Sequence, residues 1–284
     1  MTPAYDPQWL DVQYNNRARI PEHAEIFARW ASDSAQARAR LSPVLDCAYG
    51  PGAAQTLDVF PARQPGAPVL VFIHGGWWRS LDKADHSFIA PAFVDAGACV
   101  VVPNYDLCPR VTIEIIVMQM VRALVWTWQH AADHGGDPNR IIVAGHSAGG
   151  HLAAMMVSCR WRQVEAGLPA DLVKGALAIS GVFDLDPVRH TPFLKSDLLL
   201  TPQSVARLSP AYFPAPSVPL LATVGAQESE EFLRQNQLIR DRWGPKAVPV
   251  CEAIPHTHHL SVVETLAQPG QRVHQLARGL LGLD

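Results

Sequence analysis

Apolar residues along this chain follow two different patterns. Val69-Leu70-Val71-Phe72-Ile73 and Ile141-Ile142-Val143-Ala144 are continuous apolar runs without alternation. A strand with one face in water alternates with a period of two, so unbroken runs of this length point to strands covered on both faces. Strands are expected at 56–60, 69–73, 99–103, 140–144, 175–180, 220–224 and 248–254. Between two of them Ile113, Ile116, Val117, Met120, Val121, Leu124 and Trp128 recur at helical spacing, a stripe that can cover one face of a sheet. Gly135-Gly136 and then Asp137-Pro138 stop that helix. Near the start, Pro21 is placed to open a helix running through Phe27 and Trp30 towards Arg40. Strand and helix alternate over roughly 200 residues, which predicts an α/β fold with a doubly wound, mostly parallel sheet.

A chain of 284 residues with 48% apolar content can bury one large core, so a single domain over 1–284 is expected. Within it, 1–50 reads as an N-terminal extension. The proline-rich stretch 186–219 reads as an irregular insertion, placed to form part of a lid. Charged residues make up only 17% and the net charge is −3, with the basic residues spread along the chain. No phosphate-binding stripe results, which argues against a nucleic-acid partner. No apolar run reaches the roughly 18 residues that a spanning helix needs, and no basic patch followed by an apolar run opens the chain. A soluble protein is expected, without a membrane partner. Cys47, Cys99, Cys108, Cys159 and Cys251 are odd in number, scattered and free of any C-x-x-C pair, which suits a reducing cytoplasm better than a disulfide framework or a zinc site.

Candidate chemistry centres on Gly145-His146-Ser147-Ala148-Gly149, directly after the run 140–144 and ahead of the small, helix-forming Gly150-His151-Leu152-Ala153-Ala154. A serine on a tight strand-to-helix turn has strained backbone angles, and its flanking residues must be small to clear neighbouring strands. The turn lifts the hydroxyl above the sheet at the positive end of the next helix. A bare Gly/Ser turn matching the pattern by chance is the bland alternative, and the coincidence of strand, elbow and helix argues against it. Upstream, His74-Gly75-Gly76-Trp77-Trp78 follows the run 69–73. Acyl transfer needs backbone N–H groups aimed at a developing oxyanion, and a Gly-Gly pair lets the main chain turn its amides inward. Gly76, Trp77 and Ala148 are the candidate donors, with His74 expected to brace the loop.

In a serine hydrolase with this motif order the acid and then the base follow the nucleophile along the chain. His256, His258 and His259 in His256-Thr257-His258-His259-Leu260 are all candidate bases. Two carboxylates compete for the acid: Glu228 after the run 220–224, favoured by its place on the penultimate strand, and Asp184 after 175–180. The histidine cluster invites a metal reading, but no carboxylate sits at a recognised metal spacing and no H-E-x-x-H occurs. No metal or organic cofactor is expected. Trp78, Tyr105 and His146 are candidate substrate-binding side chains, and the Trp77-Trp78 pair suggests a narrow acyl pocket beside an aromatic surface.

His74-Gly75-Gly76-Trp77-Trp78, Gly145-His146-Ser147-Ala148-Gly149-Gly150-His151-Leu152 and the late histidine resemble the kynurenine formamidase (arylformamidase) branch of the α/β hydrolases, near the hormone-sensitive-lipase-like esterases. The likeness covers roughly residues 50–270, and Tyr14-Asn15-Asn16-Arg17 is similar to bacterial members. The resemblance implies an α/β-hydrolase sheet with a small N-terminal and inserted cap. It implies Gly76 and Trp77 as oxyanion donors, Glu228 as acid within Gly225…Glu228…Glu231-Phe232, and His259 as base. Two positions depart from the family pattern: Glu228 stands where an aspartate is usual, and Leu260 follows the base where a phenylalanine is usual. The implied activity is hydrolysis of a small-molecule ester or aryl-formamide through an acyl-enzyme on Ser147. A metal-dependent amidohydrolase and a non-catalytic binding protein of the same fold are the competing readings.

Overall fold

The unbroken apolar runs form the middle of one eight-stranded sheet in the computed structural model, which describes residues 5–283. Its strands are β1 (Val44–Ala48), β2 (Thr56–Phe60), β3 (Ala67–Ile73), β4 (Cys99–Pro103), β5 (Gly136–His146), β6 (Val173–Ile179), β7 (Leu220–Gly225) and β8 (Cys251–Ile254). They lie in the order β1-β2-β4-β3-β5-β6-β7-β8. β1 and β2 pair antiparallel, as do β2 and β4, and every pairing from β4 to β8 is parallel. All seven residues of β3 are buried. Val69, Val71 and Ile73 enter one core and Leu70 and Phe72 the other, so the lack of alternation in the sequence follows from cover on both faces.

The helix Ile113–His130 lays Ile113, Ile116, Met120, Val121 and Leu124 into the first core. Ile26 and Trp30 of the helix His23–Leu41, with Val273 and Leu276 of Arg272–Leu281, fill the second. The doubly wound, mostly parallel sheet expected from the sequence is the one observed. The helix Ile113–His130 passes through a 3-10 turn and stops at Gly135, whose φ of 79° is a left-handed value that glycine takes without steric cost.

Three features differ from expectation. First, 186–219 is irregular only at its end, over 213–219: its first part contains the helices Asp186–His190, Pro192–Leu198 and Pro202–Leu208. Each has proline in its first turn, where the missing N–H costs nothing and φ is already helical. Pro187, Pro192 and Pro202, which by count suggest an irregular segment, are therefore helix starts by position. Second, β1 extends the sheet at an edge. Third, two further helices, Pro7–Tyr14 and Asn16–Arg19, precede the expected one. This N-terminal arm is held by contacts distant in sequence. The Tyr14 hydroxyl, fully buried, donates to Glu231 Oε2 at 2.7 Å and accepts from Gln235 Nε2 at 3.1 Å. The Glu231 N–H donates to Gln13 Oε1 at 3.2 Å, and the Phe193 N–H donates to Asp11 Oδ1 at 3.1 Å. Such bonds run from the arm to the short helices and to the helix Glu230–Ala247.

Candidate active site

The residues singled out in the sequence gather at the carboxyl ends of the parallel strands, the edge where open α/β sheets place their sites. Ser147 follows β5 and precedes the helix Ala148–Val157. Its φ of 57° and ψ of −117° are strained for a residue with a side chain. The flanking glycines are required by contact. A Cβ on Gly145 would lie 2.1 Å from the Gly149 carbonyl oxygen, and one on Gly149 would lie 2.0 Å from that of Ile73. Backbone on both sides leaves no room to yield, so the elbow admits no larger residue at either position.

Loop 74–78 leaves β3 beside this elbow. Gly76, Trp77 and Trp78 all have positive φ (101°, 52° and 55°), a turn that the Ser80 and Arg79 N–H groups secure by donating to the Gly76 carbonyl at 3.1 Å each. Among the described residues the N–H groups of Gly76, Trp77 and Ala148 donate to no protein acceptor. Three unfilled donors next to the serine are the material of an oxyanion site. His74 lies beneath the loop, stacked on Tyr105 with ring centroids 4.2 Å apart. Its Nδ1 donates to the Gly75 carbonyl at 2.8 Å, and its Nε2 lies 3.1 Å from Asn104 Oδ1. Burial lowers its pKa, which suits a neutral brace.

Glu228 and His259 meet. The His259 Nδ1–H donates to Glu228 Oε2 at 2.5 Å. The other carboxylate oxygen accepts from the Ser180 hydroxyl at 2.5 Å and from the Gly225 N–H at 2.7 Å. One carboxylate thus takes three donors and is held in a single orientation. The His259 ring faces Phe232 at 4.4 Å and His146 at 4.7 Å. His146 Nε2 donates to the His259 carbonyl at 2.8 Å, tying the base loop to the elbow. Burial, with the nearby His259 second, keeps the His146 pKa well below its ordinary value, so this bond is made by a neutral ring. Ser147 and His259 line one cavity of about 570 Å³, open mouth included, but no hydrogen bond joins them directly. Catalytic hydrogen bonds often close only once substrate is bound.

The remaining candidates separate cleanly. Asp184 does not reach a histidine; it accepts from the Asp186 N–H at 3.1 Å and the Tyr212 hydroxyl at 3.3 Å, and burial raises its pKa. His258 turns its ring to its own loop, where Nδ1 accepts from the Leu260 and Ser261 N–H groups at 3.2 Å each. His256 is exposed on a left-handed turn with φ 60°. Of the three expected substrate-binding side chains, only His146 lines the cavity. Trp78 is fully buried edge-on against His151, and the Tyr105 hydroxyl donates to the His74 and Gly75 carbonyls at 2.9 and 3.3 Å. Both support the oxyanion loop from below, because the turn at Gly76 faces Trp77 to the cavity and its neighbour to the core.

The opposite wall is one that sequence reasoning did not anticipate. Asn15, Asn16 and Arg17 of the N-terminal arm, Phe27 and Trp30 of the next helix and Phe193 from the 186–219 segment complete the cavity. The resemblance marks Asn15, Asn16 and Arg17 but gives them no place in the site, since they meet Ser147 only through the folded arm. The arm also touches the site from behind: Tyr14 packs edge-on against Trp77 at 5.4 Å and against Phe232 at 5.7 Å.

Comparison with known proteins bears on the fold that carries this site. The chain is similar to the kynurenine formamidase of Danio rerio, 29% identical over 260 residues that span 88% of this chain and 86% of that protein. It is similar to esterase LipQ of Mycobacterium tuberculosis, 34% identical over 49% of this chain and 35% of the relative. Among solved structures, a protein of Silicibacter sp. TM1040 provisionally labelled a thioesterase superposes with a TM-score of 0.81 at 30% identity, covering 93% of this chain and 97% of the other. Residues 70–233, more than half of the chain, match a family described by the alpha/beta hydrolase fold. The chain belongs to the α/β-hydrolase family.

Proposed function

We propose that the protein is a serine hydrolase that cleaves a small acyl ester or aryl-formamide through an acyl-enzyme on Ser147. The observation that carries this reading is the 2.5 Å bond from His259 to a three-fold-anchored Glu228, at the wall of the cavity that Ser147 also lines. His259 takes the Ser147 proton as the hydroxyl oxygen attacks the substrate carbonyl, and Glu228 stabilises the imidazolium that results. The amides of Gly76, Trp77 and Ala148 receive the oxyanion, the last at the amino end of the helix Ala148–Val157, where the dipole favours negative charge. Collapse expels the alcohol or amine, which leaves with the proton from His259. Water, deprotonated by the same histidine, then releases the acid. Trp77, Phe193 and Phe27 give the cavity an aromatic lining that suits an aryl leaving group. The kinship with a kynurenine formamidase and an esterase supports both bond types.

Among the described residues no helix is long and apolar enough to cross a membrane. The five unpaired thiols support the cytoplasm as the working compartment. Ser147→Ala is the direct test. Turnover of a short aryl ester should fall by about a thousandfold or more, and labelling by a fluorophosphonate should vanish. Turnover near that of the unmutated protein would refute the assignment.

A further inference from the structure

The cavity carries more positive charge than its neighbours neutralise. Two guanidinium groups line it, from Arg17 and Arg79, and no aspartate or glutamate does. Arg79 is spoken for: it pairs with Asp197 and donates to the Phe193 carbonyl at 2.9 Å. Arg17 makes no ion pair among the described residues. It is nevertheless held in place, with its Nη2 donating to the Ser80 hydroxyl at 3.2 Å and its guanidinium 5.4 Å above the Phe27 ring. A cation fixed by a neutral hydroxyl and an aromatic face keeps its charge available. Asn16, beside it on the same wall, has a buried side-chain Nδ2 with no acceptor.

The placement of this charge relative to the reacting carbonyl follows from a short chain of bonds. Ser80 Oγ, which holds Arg17, itself donates to the Gly76 carbonyl at 3.0 Å, so the guanidinium lies no more than about 6 Å from the loop that supplies the oxyanion amides. That separation is on the order of the width of one aromatic ring. A neutral apolar group at this position would leave the cation without a counter-charge, and a cationic one would be repelled. The chain as a whole is acidic, at −3, so attraction for an anion here is a local property of the mouth.

We propose that Arg17 forms a carboxylate subsite, and that the preferred substrates carry a carboxylate on the aryl group next to the bond being cleaved. The planar fork of a guanidinium matches a carboxylate in two parallel bonds. This rests on the hydrolase reading above, and the experiment separates the two. Hydrolysis of 3-carboxyphenyl acetate and of its neutral isostere 3-carbamoylphenyl acetate is measured for the unmutated protein, Arg17→Gln and Arg17→Lys.

The expected result is a preference for the anionic ester of about fivefold in kcat/KM, the scale of one exposed ion pair. It should lie in KM rather than kcat, and be lost in R17Q, partly kept in R17K and reduced in about 0.5 M salt. Equal kcat/KM for the two esters, or a ratio that R17Q leaves unchanged, would overturn the subsite. Binding of 3-hydroxybenzoate against 3-hydroxybenzamide by calorimetry reads the subsite without turnover. Tighter binding of the benzoate that R17Q abolishes upholds it even if neither ester is cleaved, in which case only the hydrolase reading fails.

Discussion

Replacing Glu228 by glutamine changes one oxygen into an NH₂ and almost nothing in size, yet the surroundings of that carboxylate predict a severe loss. In the native site Oε1 accepts from Ser180 and from the Gly225 N–H, and Oε2 accepts from His259 Nδ1. A glutamine has two ways to sit. With its oxygen towards Ser180 and Gly225, both donors stay satisfied, but its NH₂ then faces His259 Nδ1. The imidazole must accept there and carry its proton on Nε2, the nitrogen that should receive the proton of Ser147. With the amide turned over, His259 keeps its tautomer, but the NH₂ opposes the Gly225 N–H and leaves a buried donor unpaired, which costs about 1–3 kcal/mol. The first arrangement wins, because Ser180 can rotate its hydroxyl and a backbone N–H cannot. Locking the base in the wrong tautomer lowers kcat by about 10⁴. The assay is kcat on one aryl ester alongside the thermal midpoint, with Asp184→Asn as control. Glu228→Gln should remain folded and nearly inactive, while Asp184→Asn, whose carboxylate has its polar partners in Asp186, Tyr212 and Arg234 and none in the His259 site, should stay active. An active Glu228→Gln enzyme would refute the tautomer argument, and an inactive, folded Asp184→Asn would move the acid to that position.

The histidine cluster should divide sharply. His259→Ala should abolish turnover, and His258→Ala, which loses bonds within its own loop and a 3.6 Å approach to Glu22 but none to Ser147 or Glu228, should keep most of it, as steady-state rates on the same ester will show. Tyr14→Phe should act on stability. It removes a fully buried bond to a carboxylate that Arg234 continues to hold, at a cost of about 2 kcal/mol, and the midpoint of thermal unfolding should fall by roughly 4–8 °C for a chain of this size. An unchanged midpoint would show that the arm is not secured there.

What the sequence reveals and what it conceals follow the range of the interactions involved. The strands, the helix from Ile113 and the Ser147 elbow are local, written in contiguous runs and small residues, and the sheet places them as read. That Glu228 and not Asp184 meets His259 agrees with the order of strands alone. The arm and β1 have no such signature: Leu10 and Tyr14 bury against residues some 200 positions later, and no periodicity of eight residues announces that. Trp78 and Tyr105 are expected in the cavity because sequence does not show which way a loop residue turns. The positive φ at Gly76, Trp77 and Trp78 decides it. In 186–219 the signal was present, since proline one position into a helix is a start and not a break, and counting the prolines obscured their places.

The anchorage of the arm also bears on how the molecule comes into being. During synthesis the chain leaves the ribosome amino end first, at roughly 5–20 residues per second. Tyr14 emerges early, but its partners Glu231 and Gln235 lie 217 and 221 residues further on. For an interval of roughly 10–40 seconds the arm has nowhere to dock, and Leu10 and Tyr14 stand exposed. The cavity wall that the arm provides therefore closes after the elbow, the oxyanion loop and the central strands can have met. Contacts of such sequence separation are slow to form. Competence to bind substrate should accordingly appear as a late phase in refolding, after the backbone signal of the sheet has returned.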